Sequence, residues 1–536
     1  MRSVDAIIVG SGHNGLVAAA YLARAGWEVE VLERNDALGG AVATEELTEP
    51  GFWHDTFSSW HPLFHLSAAW QELGEELASR GLTYENTDVP AASALSGDRT
   101  VLWHRDPERV GNEFSQEDAA AYRDELELFG RHAVLVGELL ATELFSTRAA
   151  TLVGRLAFRL GYRDGTAFAD RVFSSARAWL TSRFNGPEVP GLLAPWVLHT
   201  GLSPDGAGGG FQLLALAAGV HQVGMPVVRG GSANFVRAFA RLIEDHGGRL
   251  RTGAEVEEIL VSGGRAIGVR TGEEVVMARR AIVANVTPTQ LYGRLLPDGT
   301  VPKRAVRQAS RYRYGRGNMQ IHLALSERLA WRDPRLKEAA IVHVTDGLDG
   351  VSIACAQAQA GLLPVRPTIV CGQPTVLDPS RAPQGREIAW IQLQETPYAP
   401  RGDAAGELDA RDGRWTPRLE EAYAERVLSI IGEHVENLPG AVISRRVLSP
   451  AELERRNPNF VRGDPYAGST DLDQSYVWRP LPSYGSHVTP VEALYQCGAS
   501  TYPGPGLNAA SGRIVARRLL REPGPVGRAR RLFGRA

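Results

Sequence analysis

The chain has few cysteines and no large excess of charge of either sign, and both features exclude classes of protein. Its three cysteines, Cys355, Cys371 and Cys497, lie far apart and show no CxxC or Cys-His spacing. We therefore expect no disulfide scaffold and no metal site, and we expect a reducing cytoplasm. With 58 basic and 61 acidic residues the net charge is −3, which would not attract nucleic acid.

Long apolar runs and several common catalytic motifs are also missing. No apolar stretch approaches the ~20 residues that a membrane span needs, and the apolar run within residues 1–9 is too short for a signal peptide. The sequence has no GxSxG, HExxH or Walker A pattern, so none of these motifs suggests a mechanism.

One glycine motif near the start of the chain is informative because of its context. Gly10-Ser11-Gly12-His13-Asn14-Gly15 fits GxGxxG, a pattern that chance can produce in a chain with 58 glycines. Here, however, it follows an apolar strand at residues 6–9 and opens a helix that we expect to end near Ala25. A second strand at residues 29–32 leads into Glu33. The arrangement is typical of a dinucleotide-binding βαβ unit.

Each part of this unit has a physical task. Gly10 permits the tight turn, Gly12 lets the backbone approach a pyrophosphate, and Gly15 lets the helix pack closely on the strand. The N-terminus of the helix offers free N–H groups and the positive end of the helix dipole to the phosphates. We expect Glu33 to accept hydrogen bonds from ribose hydroxyls, which disfavours NADP.

A second glycine pair points to a flavin. Gly39-Gly40 follows Glu33 as in the ExxxxxGG extension of flavoproteins, although Ala41 stands where many of them have arginine. We therefore predict bound FAD, with His13, Asn14, Arg34 and Val256 completing the first contact set. No second GxGxxG occurs, so we expect no separate NAD(P)H domain.

The predicted fold is α/β, with a Rossmann-like, glutathione-reductase-like FAD-binding domain built from discontinuous segments. Ser232 is expected to cap a helix through Ile243. Strand-like runs at residues 318–325 and 388–394 are assigned to an inserted α+β substrate region. The predicted segments are 1–66 (FAD-binding), 67–224 (mainly helical), 225–290 (FAD-binding), 291–480 (mixed α+β), 481–520 (FAD-closing) and 521–536 (a basic flexible tail).

The chain resembles a known family along its whole length. GSGHNGLVAAAYLARAGWEVEVLERNDALGGAVATEE at residues 10–46, PTVLDPSRAPQG at 374–385, SPAELERRNPN at 449–459 and LYQCGASTYPGPGLNAASGR at 494–513 carry the likeness. They are similar to the phytoene desaturase and carotenoid ketolase group of FAD-dependent flavoproteins. That group includes the pyridine nucleotide-disulfide oxidoreductase domain-containing proteins.

The resemblance implies a C-terminal segment that closes over the flavin. Gly498 and Ser500 would lie near the ribityl-pyrophosphate, and a helix starting near Leu507 and Asn508 would direct its positive end at the flavin. Asn508 is interpreted as a hydrogen-bonding residue, since an amide does not titrate. The run at residues 502–506 departs from the His-Pro-Gly-Gly-Gly pattern that is frequent in the family, and residues 51–62 depart from its GxxxDxGP pattern.

Two residues are candidates for the base that dehydrogenation can require. His61 lies in the altered segment before the helical region, and Tyr502 lies in the closing turn, where it is expected near the flavin. A structural role is the alternative for both residues, and His65 is a weaker candidate.

The working hypothesis is an FAD-dependent oxidoreductase of the dehydrogenase, desaturase or oxidase type. It would take hydride from a largely apolar or aromatic small molecule, and the resemblance implies a carotenoid-like substrate. Oxygen or a quinone-like compound would accept the electrons. An amine or amino-acid oxidase and a non-catalytic flavin-binding regulatory protein remain alternatives. The apolar helices of the 67–224 region and the basic tail leave open a peripheral membrane contact.

Overall fold

The computed structural model describes residues 2–438 and 440–521. The predicted basic tail therefore lies almost wholly outside the described residues.

Twenty strands are found in the described part of the chain. In chain order they are β1 Arg2–Val9, β2 Val29–Leu32, β3 Thr44–Glu45, β4 His54–Asp55, β5 Tyr84–Glu85, β6 Ala91–Leu95, β7 Arg99–Trp103, β8 Val227–Val228, β9 Arg249–Arg251, β10 Glu258–Ser262, β11 Arg265–Thr271, β12 Glu274–Ala284, β13 Gly317–Leu325, β14 Ile341–Thr345, β15 Leu362–Leu363, β16 Ile369–Gly372, β17 Glu387–Thr396, β18 Gly402–Asp403, β19 Val442–Leu448 and β20 Leu494–Gln496.

Sixteen α-helices accompany these strands in the same described residues. They are α1 His13–Arg24, α2 Pro62–His65, α3 Ala68–Ala78, α4 Pro107–Gly111, α5 Gln116–Leu140, α6 Thr147–Phe173, α7 Ala176–Arg183, α8 Glu188–Leu193, α9 Gly209–Val223, α10 Ala233–Asp245, α11 Pro288–Gln290, α12 Lys303–Ser310, α13 Gly347–Gln359, α14 Pro417–Gly432, α15 Pro450–Arg456 and α16 Ala510–Arg521. Helix α6 is interrupted at Gly161, whose backbone is not helical.

The first sheet has seven strands in the order β10-β11-β12-β1-β2-β9, with β20 paired to β12. Strand β1 runs parallel to β2 and to β12, and α1 connects β1 to β2, which forms the predicted βαβ unit. Buried apolar residues of α1, α10 and α16 pack on this sheet, and helices α1 and α16 lie side by side.

The second sheet has the order β19-β13-β17-β16-β14-β6-β7. Its strands β13 and β17 correspond to the two runs assigned to the substrate region. The hairpin β6–β7 comes from within the region predicted to be mainly helical, and β6 pairs in parallel with β14. That long-range pairing carries no local sequence signal, because the Ala-rich run 91–95 lacks the β-branched pattern of a strand.

The start of α10 differs from the expectation. The helix runs from Ala233 to Asp245, but the Ser232 side chain makes no capping hydrogen bond. Its hydroxyl instead donates to the Ser58 carbonyl oxygen at 2.8 Å, because residues 55–61 pack against this turn. A tertiary contact has therefore replaced the predicted local cap.

Candidate functional site

The glycine turn lies at the carboxyl edge of the first sheet, beside the residue that follows β12. Gly10 has a φ of +89°, which favours glycine. A Cβ on Gly12 would lie 2.8 Å from Nδ2 of Asn285, whose amide donates to the Gly12 carbonyl oxygen at 3.2 Å. A side chain at Gly12 would therefore displace the Asn285 amide, and the backbone of the turn lines a cavity.

Glu33 lies at the end of β2 and lines the same cavity, with only 5 % of its surface exposed. Its Oε2 accepts hydrogen bonds from the Ser11 N–H at 3.0 Å and from the Ser11 hydroxyl at 2.7 Å. Its Oε1 accepts from the Asn35 N–H at 3.0 Å. These donors fix the carboxylate beside the glycine turn, where a ribose would lie in a dinucleotide site.

The second glycine pair braces this turn from the other side. The Gly39 N–H donates to the Ser11 hydroxyl oxygen at 2.9 Å, so Ser11 connects Gly39 to Glu33. A Cβ on Gly40 would lie 3.1 Å from the Gly12 Cα, which shows how closely the two backbones approach. Gly40 lines the cavity, whereas Gly39 and Gly15 are not among its lining residues. Gly15 and Gly39, which were predicted to contact the cofactor, therefore support the turn on the side away from the cavity.

The C-terminal segment packs against the helix that follows the glycine turn. The Gly512 N–H donates to the Asn14 side-chain oxygen at 3.0 Å, which ties α16 to α1. The side-chain oxygen of Asn508 accepts from the Ala510 N–H at 3.0 Å, so this amide caps α16. Asn508 also lines the cavity.

The cavity holds about 1840 Å³, more than the roughly 300–1,000 Å³ of a typical small-molecule pocket. It reaches from Glu33 to the helices α5 and α9 and to one face of the second sheet. The predicted contact residues that line it are Gly10, Gly12, His13, Asn14, Glu33, Arg34, Gly40, Val256, Gly498, Ser500, Leu507 and Asn508. One continuous space therefore has room for a dinucleotide and a second molecule.

Neither predicted catalytic residue, His61 or Tyr502, is among the residues that line this cavity. His61 is fully buried, its Nδ1 is 3.1 Å from the Tyr84 hydroxyl, and its ring packs edge-on against Phe235. Burial lowers the pKa of His61 to about 3. It is absent from the lining, as is the alternative His65, which stacks on Trp70.

Tyr502 is also a packing residue. Its side chain is 1 % exposed, and its hydroxyl donates to the Leu139 carbonyl oxygen at 2.8 Å. Burial raises the pKa of this phenol, so it does not ionise at neutral pH. Its neighbour Pro503 lines the cavity instead, because the closing turn directs the tyrosine ring towards α5.

The motif at residues 374–385 supplies a buried ion network. Arg381 is fully buried, and its guanidinium donates twice to Asp55 Oδ2 at 3.0 Å and once to Asp378 Oδ2 at 2.9 Å. Burial alone would raise the pKa of Asp55, but Arg381 holds it below its usual value. The network anchors residues 55–60, of which Phe57 to Trp60 line the cavity.

Several cavity residues were missed by the sequence reasoning. Asn285 and Thr287 follow β12, and the rule that carboxyl ends of neighbouring parallel strands share one edge could have found them. His199 lines the cavity with its Nε2 3.0 Å from the Nε2 of His343, so one of the two rings donates to the other. No local pattern marks His199, since its partner is 144 residues away.

The residues at the carboxyl edge fit FAD. The N-terminus of α1, a glycine turn without space for side chains, the buried Glu33 and a second helix start at α16 are the elements that a pyrophosphate, a ribose and a flavin require. When bound, FAD supplies a two-electron acceptor. Fold and site together define an FAD-dependent oxidoreductase.

The chain belongs to the family described as flavin containing amine oxidoreductase, whose model matches residues 15–520. It is 28% identical to pyridine nucleotide-disulfide oxidoreductase domain-containing protein 2 of Rattus norvegicus, covering 97% of this chain and 93% of that protein. One of the subunits of limonene dehydrogenase from Castellaniella defragrans is 26% identical, with 98% and 96% covered. The zeta-carotene-forming phytoene desaturase of Myxococcus xanthus is 26% identical, with 96% and 93% covered.

Solved structures share the fold. An oxidoreductase from Methanosarcina mazei superimposes with a TM-score of 0.61 at 15% identity, covering 97% of this chain and 100% of that one. Putrescine oxidase bound to putrescine gives 0.60 at 17% identity, covering 97% and 99%. The predicted α/β fold, the FAD cofactor and the resemblance to the phytoene desaturase group are thus confirmed.

Proposed function

We propose that this FAD-dependent oxidoreductase removes hydride from a largely apolar or aromatic small molecule and introduces unsaturation, with the electrons passing to oxygen or a quinone-like compound. The wall of the cavity beyond the dinucleotide end carries the proposal. It is lined by apolar side chains of α5 and α9, which include Leu126, Phe129, Val136, Phe211 and Leu216. Such a wall favours an apolar ligand, since burial of apolar surface is the main source of its affinity.

The names of two relatives favour the same substrate class. One is named for limonene and one for phytoene, and both of these compounds are hydrocarbons. A carotenoid-like or terpene-like skeleton is therefore the first substrate class to test.

The test is an anaerobic titration of the purified holoenzyme with polyenes, terpenes, alcohols and amines, followed by the visible absorbance of the bound flavin. We expect bleaching by an apolar substrate. Bound flavin that no apolar compound bleaches would contradict the proposal. Readmission of oxygen or addition of a quinone then identifies the acceptor by the rate at which the absorbance returns.

His199 is the cavity residue that could accept a proton in this reaction. Burial lowers the pKa of its ring to about 4, so it is neutral at pH 7. In the tautomer in which its Nε2–H donates to His343, its Nδ1 keeps an electron pair for a proton. The hydrogen bond between the Nε2 atoms of His199 and His343 fixes the orientation of the His199 ring. We therefore propose His199 in place of His61 and Tyr502.

Amine oxidation is the second candidate, and two tryptophans favour it. The rings of Trp60 and Trp390 lie 5.3 Å apart at 72°, and both line the cavity. Such aromatic walls can hold an amine. Peroxide release from amines, without flavin bleaching by polyenes, would select this alternative.

We also propose a cytoplasmic location with peripheral membrane contact through α6. The three cysteines are free, as a reducing compartment would leave them.

Phe158 and Tyr162 on α6 are 88 % and 85 % exposed, next to the exposed Arg159. Among the described residues, no helix is long and apolar enough to cross a membrane. Sedimentation with anionic lipid vesicles, which Phe158→Asp should weaken, tests the contact.

A further inference from the structure

Two neighbouring strands of the second sheet present a row of amides to the cavity. Asn318 and Gln320 on β13 and Gln392 and Gln394 on β17 are separated by apolar residues that point into the core behind the sheet. Alternation of this kind usually marks a strand with one face in water. Here the four amides are only 0, 3, 8 and 2 % exposed, and all four line the cavity. We call these four residues the amide face.

The register of the sheet places the four side chains together. Gln320 is directly opposite Gln392 in the antiparallel pair, so both point to the same side of the sheet. Gln394 and Asn318 lie next to a register shift between Gly317 and Met319, and both line the cavity together with Gln320 and Gln392. The amide face is therefore one continuous polar surface on an otherwise largely apolar wall.

Much of the hydrogen-bonding capacity of this face is unused. The Gln320 amide donates to the Phe57 carbonyl oxygen at 3.0 Å, and the Gln394 amide donates to the Tyr466 hydroxyl at 2.8 Å. Within the described residues, no partner is found for the side-chain oxygens of Gln320 and Gln394 or for either polar atom of Asn318. A buried polar atom without a partner is costly, so the atoms that face the cavity need a partner there, either water or a polar group of a ligand.

Another buried glutamine shows that the protein can satisfy such a group internally. Gln373 is 4 % exposed, and its oxygen accepts from the Trp331 indole N–H at 3.0 Å. Its amide donates to the carbonyl oxygens of Leu336 and Ala339 at 3.1 and 2.9 Å. Gln373 does not line the cavity. Unpaired buried atoms also occur away from the cavity, for example at His322 and Gln496. The amide face differs in that four amides lie together on the cavity wall.

The amide face also carries no charge. The nearby carboxylate of Glu395 accepts the backbone N–H groups of Thr368 and Gln394 at 2.6 and 3.2 Å, and it is not among the lining residues. A protonated amine would therefore find neutral acceptors here and no free carboxylate. A hydroxyl or carbonyl group, by contrast, matches the amide donors and acceptors.

We propose that the amide face binds a neutral oxygen group, a hydroxyl or a carbonyl, on an otherwise apolar substrate. This inference rests on the proposed function, and it narrows the substrate class from apolar molecules in general to apolar molecules that carry an oxygen group. A hydrocarbon would leave the amides of this face unpaired, whereas an oxygenated substrate would not.

Three probes with one carbon skeleton test the proposal: geraniol, 2,6-dimethylocta-2,6-diene and geranylamine. Binding to the oxidised holoenzyme at pH 7 is measured anaerobically by the change in the visible flavin spectrum. We expect geraniol to bind about tenfold more tightly than the hydrocarbon or the amine, since one or two hydrogen bonds distinguish it. Equal affinities for all three, or no binding of geraniol, would overturn the inference. Bleaching of the flavin by any apolar compound would still support the proposed function.

Two variants locate the effect. Asn318→Leu and Gln394→Met should each reduce the preference for geraniol to about twofold or less while FAD stays bound. Asn318→Leu should also raise the melting temperature, because it removes two buried unpaired atoms. The matched control, Gln373→Met, should lower the melting temperature and leave the preference unchanged. Loss of FAD from folded Asn318→Leu and Gln394→Met proteins would assign the amides to the cofactor and refute the proposal.

Discussion

Replacement of Arg381 by methionine should be among the most destabilising single changes in this protein. The substitution keeps most of the side-chain volume but removes a fully buried guanidinium that donates to Asp55, Asp378 and the Val228 carbonyl oxygen. Two buried carboxylates then lose their cation. Breaking a buried ion pair in this way costs about 3–5 kcal/mol.

The expected change in melting temperature follows from the size of the chain. The unfolding entropy is about 2.1 cal/mol/K per residue, so a free-energy loss of this size lowers the melting temperature of a chain of this length by about 3–4 °C. Differential scanning calorimetry of the FAD-loaded protein resolves a shift of this size. Arg411→Met is the matched control, since Arg411 and its partner Asp409 are both exposed. It should melt at the wild-type temperature.

The pH dependence gives an independent check of the reasoning. In the wild type, burial tends to raise the pKa of Asp55, but Arg381 and other hydrogen-bond donors lower it below its usual value. The ionised network therefore stabilises the fold above pH ~4, and this stabilisation is lost as the pH falls further. Without Arg381, burial raises the pKa of this carboxyl, and ionisation near neutral pH becomes destabilising. The difference in melting temperature should therefore be largest near pH 7 and narrow towards pH 4. A wild-type melting temperature at pH 7, or a constant difference across this range, would refute the argument.

Three further predictions concern the cavity. Gly12→Val should abolish FAD binding, because its side chain would displace the Asn285 amide and keep the pyrophosphate away from the backbone of the turn. An unchanged flavin-to-protein absorbance ratio would contradict this placement of the cofactor. In the Tyr502→Phe variant, substrate should reduce the flavin at the wild-type rate. The variant should be about 1 kcal/mol less stable, because the hydrogen bond from Tyr502 to the Leu139 carbonyl oxygen is lost. Slower flavin reduction would support Tyr502 as a catalytic residue. His199→Asn should slow flavin reduction at least tenfold with FAD retained, and an unchanged rate in stopped-flow measurements would exclude the ring as the proton acceptor.

The dinucleotide end of the site was predictable because its determinants are local. The strand, the glycine turn, the helix and Glu33 occupy fewer than 40 consecutive residues, and each acts through backbone conformation or through a neighbour in the βαβ unit. The structure places Gly10, Gly12, Glu33 and Gly40 at one cavity, as the spacing indicated.

The orientation of the two catalytic candidates was not predictable from the sequence, because it depends on packing against distant residues. His61 and Tyr502 lie in segments next to the cavity, but contacts with Tyr84 and Leu139 direct their side chains away from it. Sequence proximity to the cofactor motif identified the correct segments and could not fix the direction of a side chain.

The sequence alone determined an α/β chain with an FAD fingerprint, since strand periodicity, glycine conformation and a helix start are properties of short segments. The tertiary structure decided what faces the cavity. Asp55 meets Arg381 across 326 residues, and the amides of β13 and β17 meet across a sheet whose other face is core. Such contacts depend on strand order and on which face is buried, and alternation of polar and apolar residues is the same for a face in water and a face in a binding site.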